Sequence, residues 1–187
     1  MNRWTPDSAG RLRTAALQLF SEHGFDSVTV DQIADAAGVT QRTFFRYFPN
    51  KEEVLFSEGA QILDAITLGI AESELGAKPI EVIQAAVARL CATFEPDRAR
   101  HRHRWQVIAS VSSLHERELL KRHELATEIA QQLESRGIPK RRAAVLAGAS
   151  IATFQVVYVA WLTDKSRTSL ASRMHQALAD LSTDLAN

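Results

Sequence analysis

The sequence predicts an all-α protein of about nine helices. Apolar residues recur at helical spacing, and signals that start and stop helices recur along the whole chain. Runs of alternating β-branched residues bounded by turn residues are nearly missing, which disfavours strands. Helices are short up to about residue 50 and long after it. We therefore expect an N-terminal domain over residues 1–50 and a C-terminal helical domain over residues 51–187.

The first helix is predicted from Pro6 to His23, because proline is favoured in the first turn of a helix. Gly24 is the residue type that ends a helix with a positive φ angle. This kind of helix end commonly brings two apolar side chains together, here Phe20 and Phe25.

Residues 29–48 predict a helix-turn-helix, two short helices joined by a turn that contains glycine. Thr29 and Gln32 form a capping box at the start of the first of these helices. Gly38 permits the turn, and Thr40 is the N-cap of the second helix. In such a motif the second helix enters the major groove of DNA.

The outward face of this recognition helix carries side chains that suit base edges. Arginine matches guanine, glutamine matches adenine, and the threonine methyl group matches thymine. The candidate base contacts are Gln41, Arg42, Thr43 and Arg46. The candidate phosphate contacts are Thr29 and Thr40 at helix N-termini, with Tyr47 and Lys51.

The charge of the chain limits how it could bind nucleic acid. Its 22 basic and 22 acidic residues give a formal net charge of zero, which argues against a protein that coats nucleic acid without specificity. Residues 40–51 nevertheless contain three cations and no acid. The alternative interpretation of this segment is a packed helical corner with a solvated basic face.

The long helices follow with short connections, as in a helical bundle. Asn50 and Glu53 form a second capping box, and the helix that they begin would link the two domains. We place these helices at roughly 50–75, 79–94, 97–112, 115–135, 139–163 and 166–185.

The segment 143–162 contains no charged residue, so its length alone would allow a membrane span. Its alanine, serine, glycine and glutamine content favours instead a helix buried by its own bundle and by a second subunit. The last helix is amphipathic and would pair with it. The candidate dimer-interface residues are Ala144, Ala147, Gly148, Ile151, Gln155, Met174, Leu178 and Leu181.

A ligand pocket is predicted within the C-terminal bundle, since bundle interiors house apolar ligands. The basic run at 98–104 would supply an anion site for a phosphate or carboxylate; the alternative is a solvated cationic loop. For each aromatic residue taken alone, ordinary core is the commoner role. The candidate pocket residues are Phe94, Arg100, Arg102, Arg104, Trp105, Ile108, Phe154, Tyr158 and Trp161.

Other chemistries find little support in the sequence. His101 and His103 lie on different sides of a helix, so we expect no metal and no cofactor. No nucleophile–base pair is spaced for catalysis, so we do not expect an enzyme. The single Cys91 forms no intramolecular disulfide, and the N-terminus has no apolar signal region. Both features predict a cytoplasmic protein.

The motif "TVDQIADAAGVTQRTFFRYFPNKEEVL" resembles the DNA-binding region of the tetracycline-repressor (TetR) family. The resemblance rests on Thr29, Ile33, the run Ala37-Gly38-Val39, the aromatic residues from Phe44 to Phe48, and Lys51. It implies a homodimer, a DNA operator and a small-molecule effector. The family usually has tyrosine at Phe45, a DNA contact that here lacks its hydroxyl group.

The stretch "RHRWQVIASVSSLHERELLKRHELATEIAQQL" resembles the C-terminal domain of mycofactocin-associated TetR-type regulators. This resemblance implies acyl-CoA-like effectors. The sequence therefore predicts a ligand-responsive regulator, a repressor released by its effector. The main alternative is a helical protein-interaction module.

Overall fold

The structure is a computed structural model that describes residues 7–184. Helices joined by short turns make up this range, and no strand occurs within it, so the predicted all-α fold is confirmed. The predicted start at Pro6 lies outside the described residues. Packing divides the chain into two compact units: the first runs to Glu58 and includes Arg102–Glu118, and the second comprises Gly59–His101 and the chain from Leu119 onwards.

The first unit contains four N-terminal helices and a segment from the middle of the chain. The helices are α1 (Ser8–His23), α2 (Val30–Ala36), α3 (Gln41–Tyr47) and α4 (Glu53–Phe56), and the segment 102–118 takes in most of α7 (Arg98–Ser110) and the start of α8 (Ser112–Ser135).

Helix α1 is capped at both ends by local hydrogen bonds. Asp7 accepts a hydrogen bond from the amide of Gly10 at 2.8 Å, where a Cβ atom would collide with the carboxylate. Gly24 has a φ of 80° and donates its amide proton to the carbonyl of Phe20 at 3.0 Å. The rings of Phe20 and Phe25 lie 5.0 Å apart. The predicted helix end at Gly24 is thus confirmed.

The core of the first unit depends on residues that are distant in sequence. Leu12, Ile33 and Phe44 are completely buried at its centre. Ile108 and Leu114, from the segment 102–118, belong to the same apolar cluster and are 3% and 1% exposed. Burial of each such side chain contributes about 1.5–3 kcal/mol. The segment 102–118 is therefore part of the core of this unit.

The second unit is a helical bundle. Its elements are α5 (Gly59–Glu72), α6 (Pro79–Phe94), a 3₁₀ turn (Glu95–Asp97), the first turn of α7, the rest of α8, α9 (Lys140–Thr163) and α10 (Leu170–Asp184). Helices α5 and α6 pack against each other, and α10 packs on α6 and α9. A Cβ atom at Gly69 would lie 2.6 Å from the Cα atom of Ala86, so the α5–α6 approach requires glycine there.

Two details differ from the sequence-based expectation. The helix expected over 50–75 is divided into α4 and α5, and the two belong to different units. Packing also assigns 102–118 to the first unit, which a single boundary at residue 50 does not describe. Both differences arise from long-range packing, which helical periodicity does not report.

By length and composition alone, the segments Glu53–Glu72 and Lys140–Thr163 could cross a membrane. In the second segment, 28% of the apolar window is buried inside the protein. Much of the apolar surface of α9 is therefore exposed in the single chain.

Candidate nucleic-acid interface and effector site

The helix-turn-helix is formed by local hydrogen bonds. The Thr29 amide donates to Oε1 of Gln32 at 2.8 Å, and the Gln32 amide donates to Oγ1 of Thr29 at 3.3 Å. The predicted capping box is thus confirmed. Gly38 takes a φ of 65° in the turn. Thr40 then caps α3 by accepting a hydrogen bond from the amide of Thr43 at 3.2 Å.

Helix α3 has one buried side and one exposed side. Phe44 is fully buried and its ring contacts Phe48, which anchors the helix. The opposite side leaves long polar and aromatic side chains in solvent, so that they are available to a groove of DNA. The exposed residues of this face are Gln41, Arg42, Phe45, Arg46 and Tyr47, with Thr43 half-buried beside them.

Three of these side chains are restrained by neighbours. The hydroxyl groups of Thr40 and Thr43 lie 3.0 Å apart. Arg46 donates from Nη2 to the hydroxyl of Tyr47 at 3.1 Å, and its guanidinium lies 4.9 Å from the Tyr47 ring centroid. Because the Tyr47 oxygen accepts this hydrogen bond, its own proton remains available to an external acceptor.

Lys51 has a second role that the sequence did not reveal. Its ammonium group donates to the carbonyl oxygens of Phe25 at 2.7 Å and Val28 at 2.9 Å, and it lies 4.2 Å from the Phe25 ring centroid. Lys51 therefore ties the loop before α2 to the chain before α4. An ammonium group has three protons, so one further donor remains for a phosphate.

Helix α4 is held by charged side chains from the segment 102–118. Arg104 donates from Nε to the carbonyl of Leu55 at 2.6 Å and from Nη2 to Oε2 of Glu118 at 2.8 Å. Arg117 forms an ion pair with Glu53. The guanidinium groups of Arg104 and Arg117 each lie 5.5 Å from the ring centroid of Phe56. We call Arg104, Arg117 and Glu118 the α4 clamp.

The second predicted capping box forms only in part. The Glu53 amide donates to Oδ1 of Asn50 at 2.9 Å, as expected. The Glu53 carboxylate pairs with Arg117. This ion pair is a long-range contact, and the sequence pattern could not predict it.

Aromatic side chains gather in the second unit around His101, which is 2% exposed. The ring of Phe94 lies 4.5 Å from His101 and 5.2 Å from Tyr158. Phe154 stacks on Tyr158 at 5.4 Å, and Tyr158 lies 6.1 Å from Trp161. We call these five residues the aromatic cluster. The sequence did not single out His101 as a member.

Cationic side chains lie beside this cluster. Arg98 lies 5.2 Å from the Trp161 ring centroid and donates to the carbonyl oxygen of Asp164 at 2.6 Å. Arg100 donates from Nε to Asp97 at 3.2 Å, and its Nη2 lies 3.3 Å from Nε2 of His101. The sequence predicted Arg100 here but not Arg98.

The connection between α9 and α10 is fixed by Asp164. Arg173 lies 2.7 Å from Oδ2 of Asp164, and the Ser166 amide donates to Oδ1 at 3.0 Å. The hydrogen bond from Arg173 lowers the pKa of the Asp164 carboxyl group below its usual value. The two C-terminal helices are thereby joined at a defined loop.

The structure brings together only part of the predicted pocket. Phe94, Phe154, Tyr158 and Trp161 meet in the aromatic cluster, and Arg100 contacts it through His101. The remaining candidates belong to the first unit, because the end of α7 packs there: these are Arg102, Arg104, Trp105 and Ile108. Ile108 lies in the core of that unit, and Arg104 donates to the carbonyl of Leu55 in α4.

The predicted dimer residues also separate into two groups. Ala147, Met174 and Leu178 are buried inside their own unit, so they offer almost no surface to a partner in the single chain. The other candidates keep surface available to a second chain: Ala144 and Gly148 are exposed, and Ile151, Gln155 and Leu181 are half-buried.

Thiol reactivity and metal binding can also be assessed from the structure. Burial raises the pKa of the Cys91 thiol to about 12. Among residues 7–184, no group of three histidine, cysteine or acidic side chains is arranged to hold a metal ion.

Comparison with known proteins identifies the family. Residues 12–57 match the model of bacterial regulatory proteins of the tetR family, and residues 77–186 match the MftR C-terminal domain. MftR of Mycobacterium tuberculosis, a candidate mycofactocin biosynthesis transcriptional regulator, is 31% identical over 99 residues, which are 53% of this chain and 50% of that protein. The chain spans about half the length, or less, of the curated relatives it matches.

Solved structures share the fold. Thermus thermophilus FadR, in complex with lauroyl-CoA, has a TM-score of 0.60 and 22% identity, with 91% of each chain covered. Bacillus subtilis FadR, in complex with stearoyl-CoA, has a TM-score of 0.62 and 21% identity, with 91% of this chain and 95% of that chain covered. The chain belongs to the tetR family of bacterial regulatory proteins, with a C-terminal domain of the MftR type.

Proposed function

We propose that the protein is a cytoplasmic transcriptional repressor that binds a palindromic DNA operator as a homodimer and is released by a small-molecule effector. The exposed face of α3 is the observation that carries this proposal. Gln41, Arg42 and Arg46 extend from a helix that a capped, glycine-containing turn presents to solvent. Family membership supports the same activity.

The side chains of the first unit divide into two roles. Gln41 and Arg42 lie in the first turn of α3, where a recognition helix contacts base edges. The hydroxyl of Tyr47 and the caps at Thr29 and Thr40 supply phosphate contacts, which fix the register of the protein on DNA. Phe45 is 50% exposed and provides an apolar contact for a sugar or a thymine methyl group.

Selection of bound duplexes from a random DNA pool tests this function. We expect enrichment of a palindrome whose half-sites lie about one helical turn, roughly 34 Å, apart. Arg42→Ala in a parallel selection serves as the matched control, and it should lose preference at one base position in each half-site. Equal recovery of all sequences would contradict the proposed function.

A second copy of the chain would cover the exposed face of α9. Val145, Ala149, Ala152 and Val156 follow one another at intervals of four, three and four residues, the spacing of a helix–helix seam. Val145 and Val156 are 63% and 70% exposed in the single chain. Burial of such apolar surface stabilises a dimer by about 25 cal/mol per Å² before the entropic costs of association.

A shallow groove continues this seam towards α8. It has a volume of about 380 Å³. It contains three of the predicted dimer residues, which supports a face contacted by a second chain. The lining residues are Leu119, Arg122, His123, Ala126, Gly148, Ile151, Ala152 and Gln155.

The effector is proposed to be an acyl-CoA or a similar anion with an apolar tail. The aromatic cluster would contact the tail. Arg98, which lies against Trp161, and Arg100, which contacts His101, would contact the anionic group. The FadR proteins with lauroyl-CoA and stearoyl-CoA support this class. Release of DNA requires that the effector bind the conformation that cannot hold the operator more tightly than it binds the operator-bound conformation.

Titration with lauroyl-CoA tests the effector class. Fluorescence anisotropy of a labelled operator should fall as lauroyl-CoA is added, whereas free coenzyme A should have little effect because it lacks the apolar tail. Phe154→Ala should weaken lauroyl-CoA binding about tenfold, about 1.4 kcal/mol, because the half-buried ring would lose its apolar contact with the tail. Equal responses to lauroyl-CoA and free coenzyme A would reject an acyl effector.

A further inference from the structure

Two arginines of the second unit hold the loop between α9 and α10. Arg98 donates from Nη1 to the carbonyl of Ser166 at 3.0 Å and from Nη2 to the carbonyl of Asp164 at 2.6 Å. Arg173 donates from Nε to the carbonyl of Thr168 at 3.2 Å. The carbonyl oxygens of three alternate residues thus accept hydrogen bonds from side chains of the bundle, which fixes the path of this α9–α10 loop.

Two cations share one face of the α9–α10 loop. Carbonyl groups that are bound at every second residue are typical of an extended chain, in which residues two apart lie on the same face. Asp164 has the extended backbone angles φ −81° and ψ 169°. Lys165 and Arg167 are two residues apart and both are exposed. Their Cα atoms are therefore about 6.6 Å apart on one exposed face, at 3.3 Å per residue.

The α9–α10 loop adjoins the aromatic cluster through Arg98. The guanidinium group that holds the loop lies 5.2 Å from the Trp161 ring centroid. The buried Nε–H group of Arg98 meets no acceptor among residues 7–184. An unpaired buried donor costs free energy, and an anionic ligand beside Trp161 would satisfy it. A ligand in contact with the cluster would therefore reach the loop.

The charges around the loop suit a ligand with more than one negative group. The cations are Arg98, Arg100, Lys165, Arg167 and Arg173. The acids are Glu95, Asp97 and Asp164, and each already accepts a hydrogen bond from an arginine or a backbone amide. Lys165 and Arg167 face solvent instead. A fatty acid carries one negative charge, whereas coenzyme A carries a diphosphate and a further phosphate group.

We propose that Lys165 and Arg167 bind phosphate groups of a coenzyme A ester, so that the effector is recognised by a phosphorylated head group and not as a free fatty acid. The apolar tail contacts the aromatic cluster, and the α9–α10 loop binds the head group. Hydrogen bonds from cations to phosphate are among the stronger polar contacts. The inference rests on the proposed acyl effector and adds the residues that determine its class.

Calorimetric titration with lauroyl-CoA and with laurate tests this site. The double variant Lys165→Gln, Arg167→Gln removes both charges and keeps polar side chains on an exposed loop. We expect it to bind lauroyl-CoA about tenfold more weakly than the wild type does, because two charge-assisted contacts are lost. Its affinity for laurate should stay within about twofold of the wild type, since one carboxylate does not need the loop. Its lauroyl-CoA affinity should also depend less on salt.

The matched control is the double variant Lys140→Gln, Arg141→Gln. These two exposed cations lie at the start of α9, about 36 Å along the helix from the loop, at 1.5 Å per residue. The control removes the same charge from the same chain and should leave the affinity for lauroyl-CoA unchanged. An equal loss in both double variants would overturn the site, because only net charge would then matter. If circular dichroism shows that the loop variant has lost its helices, Arg167→Gln alone replaces it, with about a threefold loss expected.

The outcomes also separate this site from the proposed function. If lauroyl-CoA releases operator DNA and the loop variant binds it as tightly as the wild type, only the phosphate site is rejected. An equal loss of affinity for lauroyl-CoA and laurate would likewise reject it. If the wild type binds neither compound, the acyl effector and the phosphate site are rejected together. If the loop variant loses operator affinity without any ligand, the loop is a DNA contact and the phosphate site is wrong.

Discussion

The ammonium group of Lys51 donates a hydrogen bond to the carbonyl oxygen of Phe25 at 2.7 Å while it lies 4.2 Å from the centroid of the Phe25 ring. Lys51, which the sequence predicted as a phosphate contact, thus also holds the loop before the helix-turn-helix. Cation–π contacts of this kind contribute about 0.5–2 kcal/mol. The motif residue Lys51 is therefore a structural residue as well as a candidate phosphate contact.

Lys51→Met should lower the free energy of unfolding by about 1–3 kcal/mol, because two carbonyl oxygens lose a charged donor. Urea unfolding followed by circular dichroism measures this change. Lys121→Met is the control, since Lys121 lies on the surface of α8 and pairs with the exposed Glu124 at 3.4 Å. Equal stabilities of the two variants would show that the contacts of Lys51 contribute nothing.

Arg42→Ala should cost about 1–3 kcal/mol at one base pair and relax the sequence preference there. Tyr47→Phe should instead weaken binding to every DNA sequence by the same factor, because it removes a hydroxyl group that donates to phosphate. Binding titrations on the selected operator and on single-base variants measure both effects. Identical base-substitution profiles for the two variants would contradict the division into base and phosphate contacts.

Val156→Arg should convert the dimer to a monomer, because it places a charge in the exposed seam of α9. Met174→Ala should leave the dimer intact and lower the stability of each chain by about 2–5 kcal/mol, since Met174 is 1% exposed inside its own unit. Light scattering gives the molar mass and urea unfolding gives the stability. A monomeric Met174→Ala variant that keeps full stability would reverse the assignment of the two faces.

Cys91 should resist thiol reagents in the native protein. With a pKa of about 12, only about one thiol in ten thousand is ionised at pH 8, and the side chain is also fully buried. Labelling with Ellman's reagent should therefore proceed only after the addition of denaturant. Rapid labelling of native protein would show that the interior around α6 opens readily.

Local features of the fold could be predicted from the sequence. The Thr29–Gln32 capping box, the Gly24 helix end and the glycine turn at Gly38 depend on residues within a few positions of each other. Their side chains satisfy backbone groups of the same turn, so the pattern of residue types contains the necessary information.

Features that depend on long-range packing could not be predicted in the same way. Arg104 lay in a basic run that favoured an anion site, yet its partners are Leu55 and Glu118. The apolar face of α10 predicted that Met174 is buried. The pattern did not distinguish burial by helices of the same chain from burial by a second chain. Helical periodicity reports which face is buried and not which element buries it.

The central claim is that two copies of the chain read one palindromic operator through α3. Sedimentation equilibrium of the protein with the selected duplex measures the number of chains per DNA. We predict two chains on the intact operator, and at least a tenfold loss of affinity, about 1.4 kcal/mol, when one half-site is scrambled. One chain per duplex, or equal affinity for the intact and scrambled sites, would contradict the account.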